Sequence, residues 1–228
     1  MRRHGTHRAL LIAALGSALC SAQTPAAETL RYSINWPSGL SLGEAELRTA
    51  RTAGRGELEF TLNAAIPGFT VEDRYRSAIT ADGCSLEFEK DSTHGKRKAR
   101  EKTTFDYRKR IARRSTVEGG KTEFTLPPCA RDALAFILFA RNELAQGRVP
   151  PASTVYFGAA YQVRLDYAGP QSVAVNDVPV QADRILATVK GPASSVNLEI
   201  FYARDPGRTP LVVKVPFSLG VFSMELVR

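Results

Sequence analysis

Most of the chain alternates between apolar and polar residues, which is the pattern of β-strands that bury one face. Within residues 161–167 every second residue is apolar, and segments 32–36, 58–62 and 196–202 repeat this period. The alternation favours antiparallel sheet, because parallel strands are usually covered on both faces. Short turn motifs separate the apolar runs, and many short strands at this spacing predict a sandwich or barrel. These motifs are Asp82-Gly83, Gly119-Gly120, Asn176-Asp177 and Asp205-Pro206-Gly207.

One segment, residues 126–147, departs from this alternation and predicts a helix. Every position from 133 to 140 is apolar, so the first two turns have no polar face and the helix is expected to be buried. Asp132 suits the positive end of the helix dipole, and Gly147 followed by Pro150-Pro151 predicts its end. At about 1.5 Å per residue, this helix is too short to cross a bilayer.

The aromatic and aliphatic side chains Phe136, Ile137 and Phe139 are the candidates for an apolar interior. Buried clusters of this kind usually pack as core, and a ligand-binding wall is the alternative. Near the C-terminus the apolar positions change parity beside Gly220, which predicts a β-bulge or a tight bend. The fold expected from these patterns is mainly β, a curved antiparallel sheet or open β-barrel wrapped around one buried α-helix.

The first 22 residues have the features of a secretory signal peptide. Arg2, Arg3 and Arg8 precede a short apolar run, and small residues precede Gln23. Lipidation at Cys20 is disfavoured, because the bulky Leu19 stands where such sites have a small residue. We therefore expect an exported, periplasmic protein with residues 23–228 forming a single β-rich domain and no transmembrane segment after cleavage.

Removal of residues 1–22 leaves two cysteines, Cys84 and Cys129. Two cysteines in an exported chain most often pair, so a disulfide is predicted; two unrelated buried thiols are the alternative. The bond would fasten the segment before the helix to the strand that begins near Cys84.

Three parts of the chain resemble the exported bacterial proteins grouped as domain of unknown function 3108 (DUF3108). The residues that carry the resemblance are the Trp36-Pro37…Gly43-Glu44-Ala45 opening, the Asp132-Ala133-Leu134 helix start with Arg141-Asn142-Glu143-Leu144 and Gly147, and the Thr209-Pro210…Gly220-x-Phe222 ending. The resemblance implies a curved antiparallel sheet enclosing a helix, loosely similar to periplasmic lipoprotein carriers. It implies no reaction, ligand or catalytic residue.

Catalytic and metal-binding motifs are absent from the sequence. After residue 22 the only histidine is His94, beside Gly95, and it fits a solvated strand end better than a catalytic base. No nucleophile elbow, phosphate-binding loop or zinc-ligand spacing occurs. We therefore expect no catalytic residue, cofactor or metal, although an enzyme with an unrecognised site remains an alternative.

Positive charge is concentrated in residues 94–114, which contain ten Lys or Arg residues against two acidic residues. A basic hairpin here is predicted to contact an anionic surface such as lipid headgroups; nucleic acid is not expected as a partner of an exported protein. Protection of an edge strand against aggregation is the alternative role. The candidate contact residues are Lys96, Lys98, Arg100, Lys102, Arg108, Lys109 and Arg110.

The leading hypothesis for function is a non-catalytic periplasmic binding or carrier module, for a lipid or another amphiphile. The alternative is a structural or envelope-assembly protein whose concave face is filled by its own side chains. These two hypotheses differ in whether the space between sheet and helix is empty.

Overall fold

The structure is a computed structural model that describes residues 26–52, 54–66, 68–217 and 220–227. The predicted signal peptide, residues 1–22, lies outside the described residues. The strands are β1 (Ala26–Asn35), β2 (Ser41–Arg51), β3 (Arg55–Ile66), β4 (Phe69–Thr80), β5 (Ser85–His94), β6 (Arg97–Asp106), β7 (Ile111–Thr116), β8 (Lys121–Thr125), β9 (Arg131–Asp132), β10 (Ser153–Tyr156), β11 (Ala160–Val175), β12 (Val178–Lys190), β13 (Ser195–Ala203), β14 (Pro210–Phe217) and β15 (Gly220–Val227). The helix α1 spans Ala133–Ala145.

All the described strands belong to one 15-stranded sheet, in the order β8 to β1 followed by β15 to β9. Neighbouring strands are antiparallel except β9 and β10, and β1 pairs with β15 near the other terminus. The two edge strands, β8 and β9, follow each other in the chain. Hydrogen bonds join the two sides, from Ser85 N to Ala130 O at 2.9 Å and from Tyr156 Oη to Thr125 O at 3.1 Å. The sheet therefore curls into an open barrel, which confirms the predicted fold class.

The helix lies inside the curved sheet but begins later than the sequence predicted. Residues 126–130 are not helical, and Arg131–Asp132 forms the short strand β9. The consecutive prolines Pro127 and Pro128 disfavour helix before them and lack the N–H groups that a helix needs. Asp132 is thus the N-cap rather than a first-turn residue, and its carboxylate accepts from the N–H groups of Leu134 and Ala135.

The end and the burial of the helix match the predictions. Gly147 follows the cap residue Gln146 with a φ of +74°, a conformation that favours glycine. None of residues 133–140 is exposed. The helix joins two clusters of buried side chains, one around Leu134, Ala135, Ile79, Phe88 and Phe105, the other around Phe136, Ala140, Leu144, Val155 and Ile185.

One detail of the predicted strands is wrong. Tyr167 is 52% exposed rather than buried; it lies where the pairing of β11 with β12 begins to shift, and its hydroxyl donates to Asp183 Oδ1 at 3.1 Å. Of the two alternatives predicted at Gly220, the tight bend is confirmed: the parity change marks a hairpin, since Phe217 pairs with Gly220 between β14 and β15.

The structure contains the predicted disulfide between Cys84 and Cys129. The bond links the turn between β4 and β5 to the segment that precedes β9, so it fastens the two sides of the open barrel beside the start of the helix.

Candidate functional site

A cavity of about 490 Å³ lies between the helix and the concave face of the sheet. This volume is within the usual range for small-molecule sites. Scaling from a cavity of about 150 Å³ that binds benzene, it has room for roughly 20 carbon atoms. The cavity walls are almost entirely hydrocarbon and come from the helix and ten strands; the lining residues include Leu47, Phe60, Leu134, Ile137, Phe157, Val163, Leu165, Val189, Val196, Leu198, Val213 and Met224.

Of the three helix residues predicted for the apolar interior, two line the cavity and the third packs elsewhere. Phe136 and Ile137 line the cavity. Phe139 does not line the cavity. Its half-buried ring packs against the Arg131 guanidinium, which lies 3.8 Å from the centre of the ring, beside the start of the helix.

Two tyrosines give one side of the cavity wall a polar character. The hydroxyl of Tyr32 donates to the carbonyl of Pro210 at 3.1 Å. Burial raises the pKa of Tyr202 to about 12, so both phenols are neutral at physiological pH. The cavity is thus lined by uncharged groups, as a site for an apolar ligand requires.

An ion pair between a buried arginine and a partly exposed glutamate lies next to these tyrosines and was not predicted from the sequence. Arg141, 5% exposed, donates through both terminal nitrogens to Glu28, at 2.6 and 2.8 Å, and through Nε to Gly207 O at 2.8 Å. The guanidinium is therefore fully engaged by β1 and the β13–β14 turn. Its role is to hold the helix against the sheet, and it does not enter the cavity lining.

A group of inward-facing charged side chains lies beside the cavity on β5–β7. Lys90 Nζ is 4.5 Å from the centre of the Phe157 ring and 3.9 Å from Glu101 Oε1. Glu101 is 8% exposed and accepts from Arg114 Nε at 2.7 Å. This group borders the cavity through Phe157 and Tyr75, which both line it. The sequence had shown Glu101 only as a minor acidic residue in a basic segment.

His94 is at the end of β5, as predicted, and its Nε2 is 2.9 Å from Asp73 Oδ1. Ser92 lies on the same face of β5, and within the described part of the chain its hydroxyl has no hydrogen-bond partner. The Asp73–His94 pair is therefore not joined to this serine as a catalytic triad requires. Across residues 26–52, 54–66, 68–217 and 220–227, no cluster of His, Cys, Asp or Glu is suited to hold a metal ion.

The basic segment is largely neutralised where it forms a strand. Lys98, Arg100 and Lys102 lie on the outer face of β6. Arg100 is opposite Asp91 and Lys102 is opposite Glu89 of β5, whereas Lys98 is opposite Thr93. Arg100 Nε donates to Asp91 at 2.8 Å, and Lys102 Nζ is 2.6 Å from Glu87. The edge-protection alternative does not apply to Lys102, which lies where β6 is paired with both β5 and β7. Residues 97–100 pair with β5 alone, so edge protection stays an alternative for the cations of that part of the strand.

The seven candidate anion-contact residues do not form one patch. Lys96 is in the β5–β6 turn, whereas Arg108, Lys109 and Arg110 are in the β6–β7 turn at the opposite end of β6. At about 3.3 Å per residue, the ten residues of β6 separate these turns by roughly 30 Å. The predicted hairpin exists, but its free cations divide between the two ends of the barrel.

The described residues include no helix long and apolar enough to cross a membrane. The architecture, an open β-barrel that holds one helix and an apolar cavity, defines the class of protein. Among solved structures, the chain is similar to a β-barrel-like protein of domain of unknown function DUF1849 from Brucella abortus, with a TM-score of 0.61, 9% identity, and coverage of 90% of this chain and 96% of that one.

The sequence profile described as protein of unknown function, DUF3108, matches residues 31–227, and the chain belongs to this family. The resemblance noted from the sequence is thereby confirmed. No curated protein matches the chain.

Proposed function

We propose that this chain is a non-catalytic, exported binding or carrier module for a lipid or another amphiphile with a single apolar chain. The observation that supports this proposal is the apolar cavity of about 490 Å³ that lies between the helix and the sheet. A protein with a purely structural role has no need for such a space, because an unfilled interior loses packing contacts and lowers stability.

The chemistry of the lining favours an alkyl chain over a polar ligand. The residues that reach the cavity from the sheet are mainly Val, Leu, Ile and Phe, and Tyr202, whose pKa is raised by burial, is neutral. The charged group around Lys90 and Glu101 borders the cavity at Phe157. An amphiphile therefore fits with its chain inside and its polar part near these side chains.

Two measurements test the proposal. Protein purified without added lipid is extracted with organic solvent, and the extract is analysed by mass spectrometry for co-purifying amphiphiles. Binding of the fluorescent fatty acid cis-parinaric acid is then titrated. We expect a bound amphiphile in the extract and a saturable fluorescence increase; an empty extract together with no probe binding would refute the carrier proposal.

A matched pair of variants on β12 locates the binding site. Val189 lines the cavity and is half-buried, whereas Leu186 on the same strand is 37% exposed. Val189→Trp places a large ring in the cavity, and we expect it to weaken probe binding about tenfold or more. Leu186→Trp adds the same ring on the outer face, so its affinity should equal that of the wild type. Thermal melts of both variants check that the fold is kept.

A further inference from the structure

The turns at one end of the barrel carry exposed apolar side chains together with free cations. Because the strands are antiparallel, alternate turns lie at the same end of the sheet. We name as the rim the end that carries the turns β1–β2, β3–β4, β5–β6, β7–β8, β10–β11, β12–β13 and β14–β15.

Exposed large apolar residues are concentrated at the rim. Among the described residues, Leu40 is 66% exposed, Phe69 43%, Val117 75%, Phe217 61% and Val221 49%, and these five belong to four different rim hairpins. Of the other exposed large apolar residues, Val178 and Val227 lie at the opposite end, Val149 lies in the segment between α1 and β10, and Tyr167 and Leu186 lie within strands. Single exposed apolar residues are ordinary, but a set on neighbouring turns marks a contact surface.

The rim also carries a basic turn in contact with one of these residues. The exposed cations Lys96, Arg97 and Lys98 surround the β5–β6 turn, and none of them has an ion pair within the described residues. The Phe69 ring lies 6.3 Å from the His94 ring and packs against Gly95 in the same turn. An aromatic tip and three free cations are therefore adjacent.

The apolar cavity reaches this end of the barrel. Phe157 is in the β10–β11 turn, and Val189 and Val196 flank the β12–β13 turn; all three line the cavity. A surface that binds the rim would therefore lie next to the part of the cavity lining that reaches these turns.

We propose that the rim docks on the surface of an anionic phospholipid bilayer, with Leu40, Phe69 and Phe217 entering the interface and the β5–β6 cations contacting the headgroups. Apolar side chains flanked by Lys and Arg are the chemistry that interfacial membrane binding uses. The proposal deepens the function proposed above. It rests on that function in one respect: docking would serve to bring the cavity to the membrane that supplies or receives the amphiphile.

The test compares two triple variants, one at each end of β6, which each remove three positive charges. Lys96, Arg97 and Lys98 are changed to Gln in one variant, and Arg108, Lys109 and Arg110 in the other; all six residues are exposed. Sedimentation with vesicles of phosphatidylglycerol and phosphatidylethanolamine measures binding. Since each cation near such a surface contributes about fivefold, we expect the rim variant to bind on the order of 100-fold more weakly, and the opposite-end variant to bind like the wild type.

A second pair of variants tests the apolar contribution. Leu40→Ser removes a rim tip and should weaken vesicle binding several-fold, whereas Val178→Ser, at the opposite end and 56% exposed, should leave it unchanged. Equal losses in the two triple variants would show unspecific attraction and overturn the proposal. Absence of wild-type binding to the anionic vesicles, or wild-type binding to phosphatidylcholine vesicles as tight as to the anionic ones, would overturn it as well.

The failure of this proposal is distinguishable from failure of the carrier function. The rim variants should bind cis-parinaric acid in vesicle-free solution as the wild type does, because the substituted side chains lie outside the cavity. Vesicle binding without any cavity ligand would support rim docking and refute the carrier proposal; ligand binding without vesicle binding would do the reverse.

Discussion

Asp132 and Ser85 hydrogen-bond each other in both directions across the two sides of the open barrel. The Ser85 hydroxyl donates to Asp132 Oδ2 at 2.6 Å and accepts from the Asp132 backbone N–H at 2.7 Å. Ser77 donates to the same carboxylate oxygen at 2.6 Å, while the other oxygen caps the helix. One fully buried carboxylate therefore joins β4, β5 and the helix.

The first prediction concerns removal of this carboxylate. Asp132→Ala eliminates the helix cap and leaves buried serine hydroxyls without their acceptor, so we expect the free energy of unfolding to fall by about 3 kcal/mol. Urea denaturation measures the change. The control is Asp82→Ala, an exposed turn residue, which should alter stability by less than about 0.5 kcal/mol. Equal effects of the two substitutions would show that the buried network contributes nothing.

The second prediction is the pH dependence of this site. Burial raises the pKa of Asp132 above its ordinary value of 3.8. The folded state then binds more protons than the unfolded state, so the contribution of Asp132 to stability is largest below pH 3.8 and declines as the pH rises toward the folded pKa. Asp132→Asn cannot titrate. We expect the wild type to lose stability relative to this variant as pH rises through that window, measured by urea unfolding; a difference independent of pH would contradict the prediction.

The third prediction concerns the disulfide. Cys84 and Cys129 are 45 residues apart, and in the chain-entropy model closing such a loop stabilises the protein by about 4 kcal/mol. Cys84→Ser, or reduction of the wild type, should therefore lower the free energy of unfolding by roughly this amount. Reductant should not change the stability of the double variant with both cysteines replaced by Ser. Maleimide labelling of both residues in denatured, non-reduced protein would contradict the existence of the bond.

The fourth prediction concerns the pair of Glu28 and Arg141. The Arg141 side chain is 6% exposed and that of Glu28 is 38% exposed. Glu28→Gln leaves a buried guanidinium without its counter-charge, so we expect a loss of about 3 kcal/mol in the free energy of unfolding. A double-mutant cycle with Arg141→Met checks the pair, because the loss in the double variant should be smaller than the sum of the two single losses. Additive losses would show that the two side chains are not coupled.

The sequence predicts those features of this fold that depend on local patterns. Period-two alternation located the strands, Gly147 located the end of the helix, and the two turn residues Asn176 and Asp177, both with positive φ, form a predicted hairpin turn. The start of the helix was misplaced because the predicted helical segment began at residue 126 and so included Pro127 and Pro128. Prolines lack the backbone N–H group and clash with the preceding turn of a helix, so the helix begins only after them.

Features that depend on pairing between distant residues could not be predicted in this way. Glu28 and Arg141 are 113 residues apart, and nothing local marks them as partners. The charge of Arg100 and Lys102 was overestimated, because the sequence does not show that the acidic face of β5 lies directly opposite. The cavity is likewise a property of how the strands curve, which depends on the complete sheet.

The pairing of β1 with β15 has a consequence for the order of folding. Each of the other antiparallel pairs joins strands that are consecutive in the chain, and these hairpins form from nearby residues as soon as both strands are available. The first strand has one neighbour of this kind, β2, whereas its second neighbour is the last strand described. During synthesis from the N-terminus, the second edge of β1 therefore stays unpaired until β15 has been made. A molecule that lacks β15 would leave this edge of β1 without its hydrogen-bonding partner.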